Sequence, residues 1–165
     1  MALDTTVGGA SADSYGTLAA YEAYVVANID ATFNGHGHDT THELNLRRAA
    51  QIIDREYTFQ GYRQYQTQAL AWPRVTSILV DGWPVLVDTV PQRVIHAQFE
   101  IAYQLETDGL DPLKTVTGGA VKVAQAGSVM TEFATFREKP RIVAAEGLLR
   151  PLLAAGYGQV RLLGG

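Results

Sequence analysis

The sequence lacks cysteine, long apolar runs and an excess of basic charge, and each absence excludes a class of protein. The chain of 165 residues contains no cysteine, which rules out disulfide bonds, thiolate catalysis and thiolate metal sites. No stretch reaches the roughly 18 consecutive apolar residues of a membrane helix. The net charge is −4, which argues against a protein that grips phosphates over a broad surface.

The start of the chain also lacks a targeting signal. Its first residues, MALDTTVGGASADSYG, contain no basic region followed by an apolar run, as a secretory signal would. We therefore expect a soluble protein that stays in the compartment where it is made. Residues 1–14 are small and polar, and we expect them to be a loose start.

What the sequence does contain is enough apolar material for a core. Hydrophobic residues make up 47% of the chain and charged residues 18%, which indicates a folded domain rather than disorder. The length suits one domain, or a compact domain with an arm. We expect a domain over residues 1–156 and a C-terminal arm over residues 157–165.

Two helices are predicted in the first part of the chain, where apolar residues recur at spacings of three and four. The first runs from about 17 to 29. The second begins at Thr40, which with Glu43 fits a capping box, and we expect Gly61 to end it.

Two further helices are predicted later in the chain. Pro91 suits the first turn of the clearest one, because a proline there loses no helical hydrogen bond, and its wide apolar surface indicates a central, largely buried helix. The last helix contains Pro151, which should kink or break it.

The remaining segments have the patterns of loops and hairpins. Residues 75–88 read as a long, partly extended loop, whose Asp81-Gly82 pair is a signal for a short hairpin. Alternating residues at about 119–136 predict a β hairpin. The predicted fold is therefore mainly α: a small bundle of about four helices with an inserted β hairpin, a long loop and an extended C-terminal arm.

Three histidines within seven residues suggest a metal site. They are His36, His38 and His42, with Asp39 and Glu43 among them, and imidazole nitrogens could bind a metal ion. The first two, however, lie in a glycine-rich loop, and Glu43 already has a role in the capping box. We favour a solvated loop and helix start, and expect no bound metal.

Nothing in the sequence indicates catalysis. The spacing of Asp54, Glu56 and Asp81 does not place two carboxylates face to face. There is no nucleophile elbow and no glycine-rich phosphate loop with its lysine. We expect neither enzymatic activity nor a cofactor.

Aromatic and basic residues gather between positions 55 and 74. Proteins that bind single-stranded nucleic acid pair rings that stack on bases with cations that hold the backbone. Such aromatics also commonly pack on a core or fill a subunit interface, which is the interpretation that we favour for an acidic chain. The residues are Tyr57, Tyr62, Tyr65 and Trp72, with Arg55, Arg63 and Arg74.

Trp72-Pro73-Arg74 lies at the end of this cluster. Proline disfavours helical geometry in the residue before it, so the helical region must end here. We expect Trp72 to anchor the chain against the bundle, and Arg74 to remain available for a carboxylate or a neighbouring subunit.

An ordered set of motifs runs from about Tyr15 to Leu163. In order and spacing the set resembles the head–tail connector (head-completion adaptor) family of long-tailed bacteriophages, some of whose members are labelled DnaT-like single-stranded DNA-binding proteins. The set comprises Tyr15, Tyr21, Ala49, Ile53, Asp54, Tyr57, Gly61, Trp72-Pro73-Arg74, Pro91, Val94, Ala97, Glu100, Ala102 and the closing segment LLRPLLAAGYGQVRLL.

The resemblance implies a structural virion protein: a neck adaptor that docks under the portal, joins capsid to tail and continues the DNA channel. Its implied partners are further copies in a ring, typically a dodecamer, the portal protein and a downstream neck or tail protein. DNA would be only non-specific cargo, with no membrane involved. The implied location is the neck of the virion, after assembly in the host cytoplasm.

Two other functions stay open beside the adaptor. The first is a single-stranded DNA-binding or replication-accessory module, and the second is a metal-dependent enzyme that uses the histidine loop. The candidate structural or interface residues are Tyr57, Trp72, Pro73, Arg74, Arg150, Val160, Arg161, Leu162 and Leu163.

Overall fold

The computed structural model describes residues 2–34, 39–107 and 143–154, together with the backbone of 121–126 and 129–134. In these residues the fold is mainly α, with small antiparallel strand pairs, as predicted. The helices are α1 (Leu18–Asn28), α2 (Asp39–Glu56), α3 (Gln92–Thr107) and α4 (Val143–Leu149), and α4 continues into a 3-10 turn, Arg150–Leu152. The strands are β1 (Tyr62–Arg63), β2 (Arg74–Val75), β3 (Leu79–Val80), β4 (Trp83–Pro84), β5 (Val121–Ala126) and β6 (Val129–Ala134).

Helix α3 is the centre of the bundle and contacts α1, α2 and α4. Its side chains Val94, Ala97, Phe99 and Ile101 are buried. The wide apolar surface that the sequence shows in α3 therefore packs against three other helices. This arrangement removes most of the apolar surface of α3 from water, which is the main favourable term in folding.

The start of the chain packs against the bundle, so the expectation of a loose start is wrong for the described residues 2–14. Asp13 forms an ion pair with Arg47 of α2, with 2.6 Å between Oδ2 and Nε. Ser14 is buried and its hydroxyl accepts a hydrogen bond from the Gln98 amide at 2.8 Å. The Gln98 side-chain oxygen also accepts the backbone N–H groups of Tyr15 and Gly16.

The bounds of α2 differ from those that the sequence predicted. The helix begins at Asp39, so Thr40 lies within its first turn instead of capping it. It ends at Glu56, well before Gly61. Gly61 has instead a left-handed backbone with φ of 75° and stands immediately before β1, where it turns the chain.

The two predicted hairpins are present. Strands β3 and β4 pair around Asp81 and Gly82, which have φ values of 53° and 86°, the backbone of a tight hairpin turn. Strands β5 and β6 pair in register from Val121 opposite Ala134 to Ala126 opposite Val129. A third pair, β1 with β2, was not predicted from the sequence.

The predicted break at Pro151 is confirmed. Helix α4 gives way to a 3-10 turn at Arg150, because a proline cannot continue the α-helical hydrogen bonding. The chain that follows is fixed to the exit of α2: Phe59 and Leu153 form an isolated β bridge, and Ala154 donates its N–H to the carbonyl of Thr58 at 2.9 Å.

Candidate functional site

Trp72 lies inside the core and cannot stack on a ligand. Its side chain is only 1% exposed, and its ring meets that of Phe59 edge to face with 5.5 Å between centroids. The peptide bond to Pro73 is cis. Tyr57, which directly follows α2, is also buried.

A partly buried carboxylate, that of Asp54, holds the segment before Trp72. Asp54 accepts the backbone N–H of Ala71 at 2.9 Å and the hydroxyl of Tyr15. Burial raises the pKa of Asp54, although these hydrogen bonds and the nearby arginines Arg63 and Arg74 oppose the rise. Burial, together with the Asp54 charge, also raises the pKa of Tyr15 well above its ordinary value.

Arg74 binds backbone carbonyls, so the expectation that it remains available for a carboxylate or a neighbouring subunit is wrong. Its guanidinium donates to the carbonyl of Gln60 at 3.0 Å, to that of Ala71 at 3.2 Å and to that of Gly61 at 2.6 Å. A further donation reaches the carbonyl of Phe59 at 3.4 Å. One half-buried side chain thus ties the exit of α2 to the chain around Trp72.

Three exposed members of the aromatic–basic cluster, Tyr62, Arg63 and Tyr65, lie close together in the chain after α2. Tyr62 is 67% exposed and Tyr65 is 44% exposed, and the Arg63 side chain between them is exposed too. The Tyr65 hydroxyl donates to Asp88 at 3.2 Å. We call Tyr62, Arg63, Tyr65 and Asp88 the aromatic loop surface. Arg55 is also exposed, in the last turn of α2.

Sequence reasoning missed Trp83, which with Pro84 forms a second Trp-Pro pair eleven residues after Trp72-Pro73. This side chain is 77% exposed on strand β4, directly after the Asp81-Gly82 turn. The signal was available in the sequence, because a large aromatic residue next to a two-residue hairpin turn lies at the tip of the hairpin, where little else can cover it.

The histidine hypothesis has only one described member. His42 is fully buried in α2, with Nε2 at 3.1 Å from Glu106 and Nδ1 at 3.4 Å from Glu22. His36 and His38 lie outside the described residues. Among the residues that the structure describes, no group of three or more histidine, aspartate or glutamate side chains could hold a metal ion.

The three carboxylates considered for catalysis have separate surroundings. Asp54 faces Tyr15 and Ala71, whereas Asp81 pairs with Arg93 at 2.8 Å. Glu56 is the last residue of α2.

Among the helices that the structure describes, none combines the length and the apolar character that a membrane span requires.

The candidates near the C-terminus are described only in part. Arg150 is exposed and begins the 3-10 turn after α4. Val160, Arg161, Leu162 and Leu163 lie outside the described residues, as does the whole proposed arm 157–165.

In its described part the chain is thus a small helical protein whose exposed aromatic residues lie on the long connection between α2 and α3. Comparison with family models places residues 1–163 in one family. The chain belongs to the family described as "Putative DnaT-like ssDNA binding protein". No curated protein matches the chain. No solved structure matches it either.

This finding corrects the resemblance to head–tail connectors. The matching family is described by single-stranded DNA binding, not by a place in the virion neck. The interpretation as a neck adaptor is therefore wrong. The dodecameric ring, the portal protein and the tail-side partner lose their support with it. The match is compatible with DNA as a partner.

Proposed function

We propose that the protein binds single-stranded DNA through the aromatic loop surface. The observation that carries the proposal is the family match, which spans residues 1–163. The structure adds a surface suited to that function, because two tyrosine rings and an arginine lie exposed within four residues of chain.

The tyrosines suit stacking because they are accessible before any ligand arrives. A base that stacks on an aromatic ring contributes about 1–3 kcal/mol, with little dependence on sequence. Tyr65 is also held in place: its hydroxyl binds Asp88, and a Cβ added at Gly8 would come within 2.6 Å of its ring. The bases of a duplex already stack on each other, so we expect a preference for single strands.

Charge plays a smaller part than stacking at this surface. Arg63 is the one cation of this surface, and Asp88, which accepts a hydrogen bond from Tyr65, is its one anion. For single strands the slope of log K against log salt is about −0.7 per phosphate neutralised. We expect a shallow slope that corresponds to one or two phosphate contacts, in keeping with the net charge of −4.

The test is fluorescence anisotropy with labelled oligo-dT and with a duplex of the same length. Tyr62→Ala should weaken oligo-dT binding about tenfold, the expected cost of one lost stacking contact. Leu44→Ala is the matched control, because it removes a side chain of similar exposure from α2. Absence of oligo-dT binding, or equal affinity of Tyr62→Ala and wild type, contradicts the proposal.

A further inference from the structure

Trp83 is the most exposed aromatic side chain that the structure describes, at 77%. Tryptophan is highly buried on average in folded proteins, and burial of such a ring is a large favourable term. The fold gains little of this term from Trp83. An exposed indole in this position therefore calls for an explanation other than stability.

The hairpin that carries Trp83 is fixed at its base and its tip. Arg93 of α3 donates to the Asp81 carboxylate at 2.8 Å, which fastens the turn to the bundle. Val85 donates its N–H to the carbonyl of Ile78 at 3.3 Å, which closes the strands below the turn. A ring on a fixed support loses little freedom when a ligand stacks on it.

The hairpin is also connected to the aromatic loop surface. Asp88 lies five residues after Trp83 and accepts hydrogen bonds from Gln64 at 3.3 Å and from Tyr65 at 3.2 Å. Five residues of extended chain span at most about 18 Å. The Cα atoms of Trp83 and Asp88 therefore cannot lie farther apart than this distance. A single strand of several nucleotides, a typical site size for such proteins, can cover that distance.

We propose that Trp83 is a further base-stacking position beside Tyr62 and Tyr65, which extends the single-stranded DNA site from the aromatic loop surface onto the β3–β4 hairpin. The inference rests on the proposed function and names a further residue for it. Asp81, two residues before Trp83, does not oppose a phosphate as an isolated charge, because it is paired with Arg93. The ligand is a run of unpaired nucleobases with no required sequence.

The two tryptophans make a direct test possible. The sequence contains Trp72 and Trp83 alone, and Trp72 is buried in the core. Oligo-dT should quench the emission of the wild-type protein by stacking on Trp83. Trp83→Phe should abolish that quenching but keep most of the affinity, because a phenyl ring still stacks. Trp83→Ala should weaken binding about tenfold.

Leu79→Ala is the control on the same hairpin, since Leu79 is 63% exposed and apolar but has no ring. We expect it to bind oligo-dT as the wild type does. Equal losses in Leu79→Ala and Trp83→Ala would indicate a general apolar docking surface and overturn the inference. A change of oligomeric state in Trp83→Ala, measured by sedimentation, with unchanged oligo-dT affinity would overturn it in favour of self-association.

The outcomes separate this inference from the proposed function. If oligo-dT binds in a manner that depends on Tyr62, while Trp83 emission is not quenched and Trp83→Ala binds normally, Trp83 has no part in the site and the proposed function stands. If the wild-type protein does not bind oligo-dT at all, the proposed function fails and the inference fails with it.

Discussion

Two Trp-Pro pairs, eleven residues apart, have opposite environments in this protein. Trp72 is 1% exposed and Trp83 is 77% exposed. The first follows Ala71, whose backbone is held by Asp54, and its ring reaches Phe59 in the core. The second follows the tight turn at Asp81 and Gly82, and nothing in the described fold covers most of its ring. The dipeptide is the same, and the difference comes from what its neighbours are attached to.

The comparison separates a residue that stabilises the fold from one that is available to a ligand. A buried indole contributes through the apolar surface that it removes from water. An exposed indole contributes almost nothing of that kind, but its face remains open. The first two experiments below compare a residue of the region around Trp72 with a matched residue of the β3–β4 hairpin, and the last two examine the region around Trp72 more closely.

The largest effect is expected for Trp72→Ala. Removal of a buried tryptophan leaves a cavity and should lower the free energy of unfolding by about 3–5 kcal/mol. Trp83→Ala should change it by no more than about 0.5 kcal/mol, as a surface substitution does. Urea denaturation followed by circular dichroism measures both. Similar losses in the two variants would show that the hairpin packs against something that stabilises it.

The two turns should respond differently to alanine. Gly61 and Gly82 both have left-handed backbones, with φ of 75° and 86°, which costs a residue with a Cβ about 1–2 kcal/mol. At Gly61 the new Cβ would also lie 2.0 Å from the carbonyl oxygen of Val75, whereas at Gly82 nothing lies within 4 Å.

Gly61→Ala should therefore lower the melting temperature clearly more than Gly82→Ala. Thermal unfolding of both variants under one set of conditions gives the comparison. Equal shifts would mean that the chain near Gly61 relaxes without cost, and that the region around Trp72 is less tightly held than its hydrogen bonds indicate.

Substitutions at two neighbouring arginines should have different effects: Arg74→Gln should mainly lower stability, and Arg63→Gln should mainly change DNA binding. Arg74→Gln removes donors to backbone carbonyls and should lower the free energy of unfolding by about 1–3 kcal/mol. Arg63→Gln should lower it much less, because Arg63 is exposed and its donation to the carbonyl of Gln68 is long at 3.4 Å. It should reduce the salt slope of oligo-dT binding by about 0.7, the value of one phosphate contact. Chemical denaturation and anisotropy at several salt concentrations test the pair, and a reversed pattern would exchange the roles assigned here.

The smallest effect concerns pH and the carboxylate that holds the segment before Trp72. Burial raises the pKa of Asp54 above its ordinary value of 3.8, so in the acidic range the folded protein keeps this proton while the unfolded chain loses it. The free energy of unfolding should therefore fall as the pH rises from 3.8 through the raised pKa.

Asp54→Asn should remove this contribution to the pH dependence, even if its stability is lower throughout because it offers one acceptor oxygen instead of two. The measurement is the urea midpoint at closely spaced pH values above 3.8. A slope identical to that of the wild type would show that Asp54 titrates alike in the folded and unfolded states.

Much of the secondary structure could be predicted because its signals are local. The apolar period of α3, the Asp81-Gly82 turn and the alternation in β5 and β6 each depend on residues within a few positions of one another. The same is true of Pro151, which ends α4. Helix bounds were less accurate: Gly61 is a turn residue and not the end of α2, because the left-handed conformation that suits a glycine after a helix also occurs in other turns.

The candidate site was harder to predict because it depends on exposure. The cluster between Arg55 and Arg74 was found from the sequence, but nothing local distinguishes the buried Trp72 from the exposed Tyr62. The partners that determine whether a side chain is buried are distant in sequence: Tyr15 contacts Asp54 across 39 residues of chain.

The family was misassigned from the sequence for a related reason. Short motifs in a given order are compatible with more than one function, and the family match over residues 1–163 corrected the assignment.

The amino-acid sequence determined that this is a mainly helical protein with a central α3, a tight turn at Asp81-Gly82 and no cysteine chemistry. These properties follow from periodicity, turn chemistry and composition. The sequence also predicted that Trp72 anchors the chain against the bundle, and only the tertiary structure decided that Arg74 binds carbonyls and that Trp83 faces solvent. Burial is a property of the assembled bundle, because each side chain is covered by residues that the chain brings back from far along its length.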